Sequence, residues 1–147
     1  MRRAVGVGAA AVGVAAVLVA ALVVGLGGSD NSGTTDGPVI TLAGDWDGYP
    51  AAEVTGRLTL VDGCLLLGRS VVFWPHGASW DADEQAVEFG GDFDDSTAVT
   101  VGAMFTGGGG FFSAGTLSRL TSIDADALLR CVRTTGADDT VMAYPSG

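Results

Sequence analysis

The chain contains no lysine. Its positive charge is carried by seven arginines, against 17 acidic residues. Two of these, Arg2 and Arg3, precede a long uncharged run. From Ser29 onward only Arg57, Arg69, Arg119, Arg130 and Arg133 stand against all 17 carboxylates. Phosphate backbones are bound by clustered Lys and Arg, so this balance excludes nucleic acid as a partner. Histidine occurs once, as His76, which excludes a two-histidine metal site within one chain. No Gly-x-Ser-x-Gly elbow surrounds Ser70 or Ser79, so the strained turn that presents a catalytic serine is missing. Cysteine is limited to Cys64 and Cys131. Neither ends the apolar run, so a lipid anchor lacks its acceptor.

What is there begins with Met1-Arg2-Arg3 and the apolar stretch Ala4 to Gly28. A basic start before an apolar run is an export signal. As a helix the run would be about 37 Å long, enough to cross a bilayer with some tilt. The arginines before it favour a cytoplasmic N-terminus and an exported remainder. Gly25 to Ser29 also suits a signal peptidase. Residues 1–28 therefore read equally as a retained transmembrane anchor or a cleaved signal peptide, and the domain as membrane-tethered or secreted. Residues 29–38, SDNSGTTDGP, contain no apolar side chain and read as a flexible linker. Residues 39–147 are the extracytoplasmic domain. In that compartment an even cysteine count points to a disulfide, and two cysteines allow one pairing, Cys64 with Cys131.

The domain is organised around Val54 to Gly77. Val54, Leu58 and Leu60 alternate with Thr55, Arg57 and Thr59, the period of a half-buried strand. Asp62-Gly63 is a two-residue hairpin signal. Cys64 to Leu67 is apolar on both faces and reads as a central strand. Gly68-Arg69 turns again into Ser70 to Trp74, which Pro75 ends. Val39 to Leu42 is a first edge strand, and Gly77 to Gln85 a polar loop carrying Trp80. Ala86 to Phe89 and Thr97 to Thr106 are further strands, and Gly115 to Leu120 a last barrel strand. Gly107 to Gly110 offers a strand nothing to pack and reads as a mobile tip bearing Phe111 and Phe112, which either form a contact surface or fold back onto the core. One helix is expected, capped by Thr121 or Ser122, with Asp124 and Asp126 in its first turn, Arg130 and Arg133 in its last, and Gly136 beyond. Ile123, Ala127 and either Leu128 or Cys131 fall on one stripe, and the buried face carries Cys131. Thr140 to Tyr144 either pairs as a final strand or trails off.

Few residues suggest chemistry. Ser70 or Ser79, His76 and Asp81 can be written as a triad, but triads are defined by geometry, and His76 between Pro75 and Gly77 reads first as a turn residue. Asp81, Asp83 and Glu84, and likewise Asp92, Asp94 and Asp95, lack the spacing of a calcium loop. They read as solvated acidic loops, with weak calcium binding the minority reading. Gly107 to Gly110 lacks the Lys-Ser/Thr of a phosphate loop. Trp80, Phe111 and Phe112 are the aromatics expected to be exposed, and so the ligand or partner contacts.

Gly56-Arg57-Leu58, Gly63-Cys64-Leu65, Trp74-Pro75-His76-Gly77, Val101-Gly102 and Gly107-Gly108 together resemble a group of small exported or membrane-anchored proteins of actinobacteria. The resemblance covers roughly Val54 to Cys131. It implies a disulfide-bearing domain and no assigned activity. Ala103 departs from it, standing where an acidic residue is more usual.

The expected fold is all-β with one short helix, a small, partly open Greek-key barrel of the OB kind. The expected function is a non-enzymatic cell-surface module that binds an envelope protein, a peptide or a small ligand, with no cofactor. The alternative is an envelope hydrolase using His76 and nearby carboxylates. Neither catalytic nor metal-ligating residues are assigned.

Overall fold

A computed structural model describes residues 35–44, 46–91, 93 and 97–147. The expected leader over 1–28, residues 29–34 of the expected linker, Asp45 and the acidic residues Asp92, Asp94 and Asp95 lie outside them. The elements in chain order are β1 (Thr35–Asp36), β2 (Val39–Ile40), β3 (Ala52–Val61), β4 (Cys64–Leu67), β5 (Ser70–Phe73), β6 (Ser79–Asp81), β7 (Ala86–Glu88), β8 (Ala98–Thr100), β9 (Met104–Phe112), α1 (Ala114–Leu117), α2 (Ala125–Thr135) and β10 (Thr140–Pro145).

The alternation in β3 is realised as read: Val54 and Leu58 are buried while Thr55 and Arg57 face solvent. Asp62 and Gly63 take φ 50° and 77°, the two positive values a tight hairpin turn needs. They pair Val61 with Cys64. The next hairpin pairs Leu67 with Ser70. The final strand, β10, then decides the architecture. It lies parallel to β5, with Thr140 opposite Val71, and antiparallel to β9, with Thr140 opposite Phe112. As β9 also pairs with β3, the five strands β3, β4, β5, β10 and β9 close into a barrel. Taken as barrel strands, the order around the wall is first, second, third, fifth, fourth. The barrel is OB-like, as expected, with its five strands closed on themselves, and among the described residues it carries two helices, α1 being a short one.

Two apolar clusters explain why β4 is buried on both faces. Leu65 and Leu67 join Val54, Leu58, Val72, Trp74, Phe105 and Val141 inside the barrel. Cys64 and Leu66 join Val71, Phe73 and Met142 outside it, under Ala127 and Leu128 of α2. A three-stranded sheet, β6-β7-β8, adds Val87, Phe89 and Val99 to the interior cluster. Each buried Leu, Phe or Val contributes roughly 1.5–3 kcal/mol, so the double-sided wall is the main source of stability.

Several expectations are corrected. Thr97 to Thr106 is two strands, because Gly102 turns the chain at φ 93° and sends it from the small sheet into the barrel. Gly77 to Gln85 includes strand β6. Gly115 to Leu120 is not a strand. Ser113 caps α1 there, its side chain accepting from the Thr116 amide. The cap of α2 is Asp124, whose Oδ1 accepts from the Ala127 amide at 2.9 Å. Ser122 is engaged elsewhere, its carbonyl by the Ala43 amide and its hydroxyl by Trp46 Nε1. Residues 35–38 of the expected linker form a hairpin, β1 with β2.

The glycine run is the largest correction. Gly107 to Gly110 lies inside β9, all four paired with β10 on one side and Gly107 to Gly109 with β3 on the other. A β-carbon at Gly109 would overlap the Met142 carbonyl oxygen, and one at Gly107 the Tyr144 carbonyl oxygen. At Gly110 it would lie 2.8 Å from Pro50 Cβ. The strand is glycine because its neighbours come too close for anything else.

Candidate functional site

The disulfide joins Cys64 on β4 to Cys131 on α2, with Cα atoms 5.7 Å apart. Around it opens a cleft of about 280 Å³. Three pieces of chain form its walls: the β1–β2 hairpin, the Asp62-Gly63 turn and one side of α2. The hairpin gives Thr35, Pro38 and Ile40, the turn gives Asp62, and α2 gives Arg130 and Thr134. Both cysteines line the cleft.

Each wall has a local cause. Asp62 stands at a turn position where φ is positive, which Asp tolerates better than most residues. Arg130 follows from the amphipathic pattern of α2, which buries Ala127, Leu128 and Cys131 and leaves Arg130 outward. The hairpin is pinned from below. Trp80's amide donates to Asp36 Oδ2 at 3.2 Å, and the Trp80 ring lies beneath Gly37, where a β-carbon would be 2.9 Å from Cδ1. Neither Asp62 nor Arg130 is in an ion pair among the described residues, although both line the same cleft.

The cleft's place in the topology is informative. OB barrels take ligands on the outer face of their second and third strands, framed by the loop between strands one and two and the loop between four and five. Here those strands are β4 and β5. Their outer face is buried under α2, which itself belongs to the connection between β9 and β10. What remains open at that locus is the cleft, bounded by the Asp62-Gly63 turn and α2.

The aromatics named from the sequence do not form one surface. Phe111 is 59% exposed. Phe112, on the opposite side of the strand, is half-buried against Phe73 and Trp46, with ring centroids 5.6 and 5.9 Å away. Trp80 is half-buried and packs on the barrel's interior cluster. The expectation of three exposed rings is corrected for Trp80 and Phe112: the first is fixed in β6 and the second sits beside the helical segment.

His76 is exposed, and its Nδ1 lies 3.3 Å from the Leu42 carbonyl oxygen. The Ser70 hydroxyl donates to Asp139 Oδ1. Asp81 Oδ1 accepts from the amides of Asp83 and Glu84 at 2.9 and 3.0 Å, a turn closed on itself. No hydrogen bond links His76 to Ser70, Ser79 or Asp81 among the described residues. No three metal-ligating side chains converge among them either.

Sequence reasoning missed Asp62, Arg130 and the hairpin as site residues. A signal for the first two was present. Asp62 precedes Cys64 by two residues and Arg130 immediately precedes Cys131. A disulfide between those cysteines brings the two charges to one place. No family model, curated protein or solved structure matches the chain.

Proposed function

We propose that the chain is an exported, non-enzymatic binding module. Its first 28 residues either anchor it or are removed. It takes a small ligand, or the tip of a partner, in the cleft between the Asp62-Gly63 turn and α2. One observation carries this reading: the cleft sits where an OB-like barrel presents its ligand site, while the flat face usually used there is covered by the chain's own helix. The residues offered are hydroxyls, one carboxylate and one guanidinium over an aliphatic floor, a set suited to recognition. Among the described residues no serine, histidine or free thiol lines the cleft, so the set offers recognition before reaction.

The test is a fragment screen against full-length, 15N-labelled protein in detergent, read as amide shifts. Hits are expected to move Gly63 and Thr134 and to be lost in Arg130→Ala. Hits that converge on Phe111 and leave the cleft unmoved would overturn the assignment.

A further inference from the structure

Asp62 and Arg130 are two exposed, opposite charges that line one cleft without pairing with each other or with any other described side chain. Both are exposed and so solvated, and a ligand entering the cleft can displace that water and meet both charges. Here an aliphatic floor of Ile40 and Ala127 lies with them, and the disulfide fixes one wall to the other. We propose, resting on the cleft reading above, that the ligand is a small zwitterion carrying a free ammonium and a free carboxylate, of amino-acid to dipeptide size.

Three considerations exclude the other classes. From Ser29 the chain carries 17 acidic residues against five arginines, Arg57, Arg69, Arg119, Arg130 and Arg133. An anion would enter against that field, with one guanidinium to hold it. A simple cation would pair with Asp62 and leave Arg130 unused. A neutral sugar favours an aromatic platform, and among the described residues no aromatic ring lines the cleft. A zwitterion has no net charge to be repelled, and it uses both groups: carboxylate on guanidinium, bidentate, and ammonium on carboxylate. The Thr134 hydroxyl is available to a peptide group, and the Thr35 hydroxyl, which donates to Asp124 Oδ2 at 3.4 Å, can still accept from one. Size agrees, because about 280 Å³ lies just below the roughly 300–1,000 Å³ typical of drug-sized ligands.

The experiment titrates 15N-labelled full-length protein in detergent with Ala-Ala, its N-acetyl form, its C-amide form and glucose, each at millimolar concentration. Only the free dipeptide is expected to shift Gly63 and Thr134. Arg130→Gln and Asp62→Asn should each weaken it at least tenfold with the melting temperature unchanged. Both substitutions suit their positions, since Gln is a good helix former and Asn accepts positive φ. Equal shifts from the blocked dipeptides, or cleft shifts from glucose alone, would sink the zwitterion while leaving the cleft as a binding site. Shifts confined to other surfaces would remove both readings. The absence of any shift with Ala-Ala would reject the ligand class outright.

Discussion

The ring of Tyr144 occupies the space that a side chain at Gly108 would need. The two residues are directly opposite in the β9–β10 ladder, and a β-carbon on Gly108 would overlap the ring. The Tyr144 hydroxyl then donates to the Pro50 carbonyl at 2.7 Å, fixing the segment before β3 against the closing strand. Closure of the barrel thus depends on the absence of side chains from β9, on both of its faces.

Alanine at these glycines should therefore open the barrel seam. Gly109→Ala meets a backbone carbonyl that cannot rotate away, and a destabilisation of about 3 kcal/mol is expected, at the upper end of overpacking costs. That corresponds to a melting temperature lower by roughly 10–20 °C. Gly115→Ala is the control. It lies in α1 with nothing within 4 Å of an added β-carbon, and should be neutral or stabilising by up to about 1 kcal/mol. Equal melting curves for the two variants would refute the close-approach account.

These glycines also mark where the sequence stops being legible. Strands β3 to β5 could be read because their signals are local: alternation in Val54 to Leu60, the turn pair Asp62-Gly63, and the stop at Pro75. The helix was legible for the same reason, through its acidic start and Gly136. Gly107 to Gly110 read as a loose tip because the reason for its composition lies more than 30 residues away, in the carbonyls and ring of β10. The single strand expected over Thr97 to Thr106 failed at Gly102, where two sheets meet. The cleft was hidden similarly, since its walls come from three distant segments. Only the disulfide joined two of them in advance.

Loss of that disulfide should be felt by the whole domain. It closes a loop with a sequence separation of 67, for which chain entropy gives about 4 kcal/mol. The Cys64→Ala/Cys131→Ala double variant should melt about 20 °C lower by circular dichroism. Below that temperature α2 should persist, because Ile123, Ala127 and Leu128 still pack on Val71 and Phe73. An unchanged melting temperature would mean that the packing alone holds the helix.

Arg69 and Asp138 form a two-pronged pair, Nε to Oδ2 at 2.7 Å and Nη2 to Oδ1 at 3.1 Å. Hydrogen bonding from Arg69, and secondly its charge, hold the Asp138 carboxyl below the ordinary carboxylate range. A depressed carboxyl contributes stability above its unfolded-state value and loses it as pH falls through its folded-state value. Both side chains are mostly exposed, at 81% and 59%, so solvent screens the pair. In an NMR titration Asp138 should protonate at lower pH than an ordinary aspartate and return to normal in Arg69→Gln. The melting temperature at neutral pH should barely move. The backbone bonds from Asp138 to Arg69 and from Val71 to Asp139 remain to hold the parallel strands in register.

Adjacent phenylalanines at the end of β9 should respond oppositely. Phe111 is 59% exposed, so Phe111→Ala should change stability by less than about 0.5 kcal/mol. Phe112 touches Phe73 and Trp46 beside α2, so Phe112→Ala should cost about 2 kcal/mol, below the figure for a fully buried ring. The pair therefore separates recognition from packing. A partner contact at Phe111 would appear as weaker capture of an envelope protein with unchanged melting, an effect Phe112→Ala cannot produce without also loosening the fold. Equal destabilisation by the two substitutions would place Phe111 in the core and remove it from the candidate contacts.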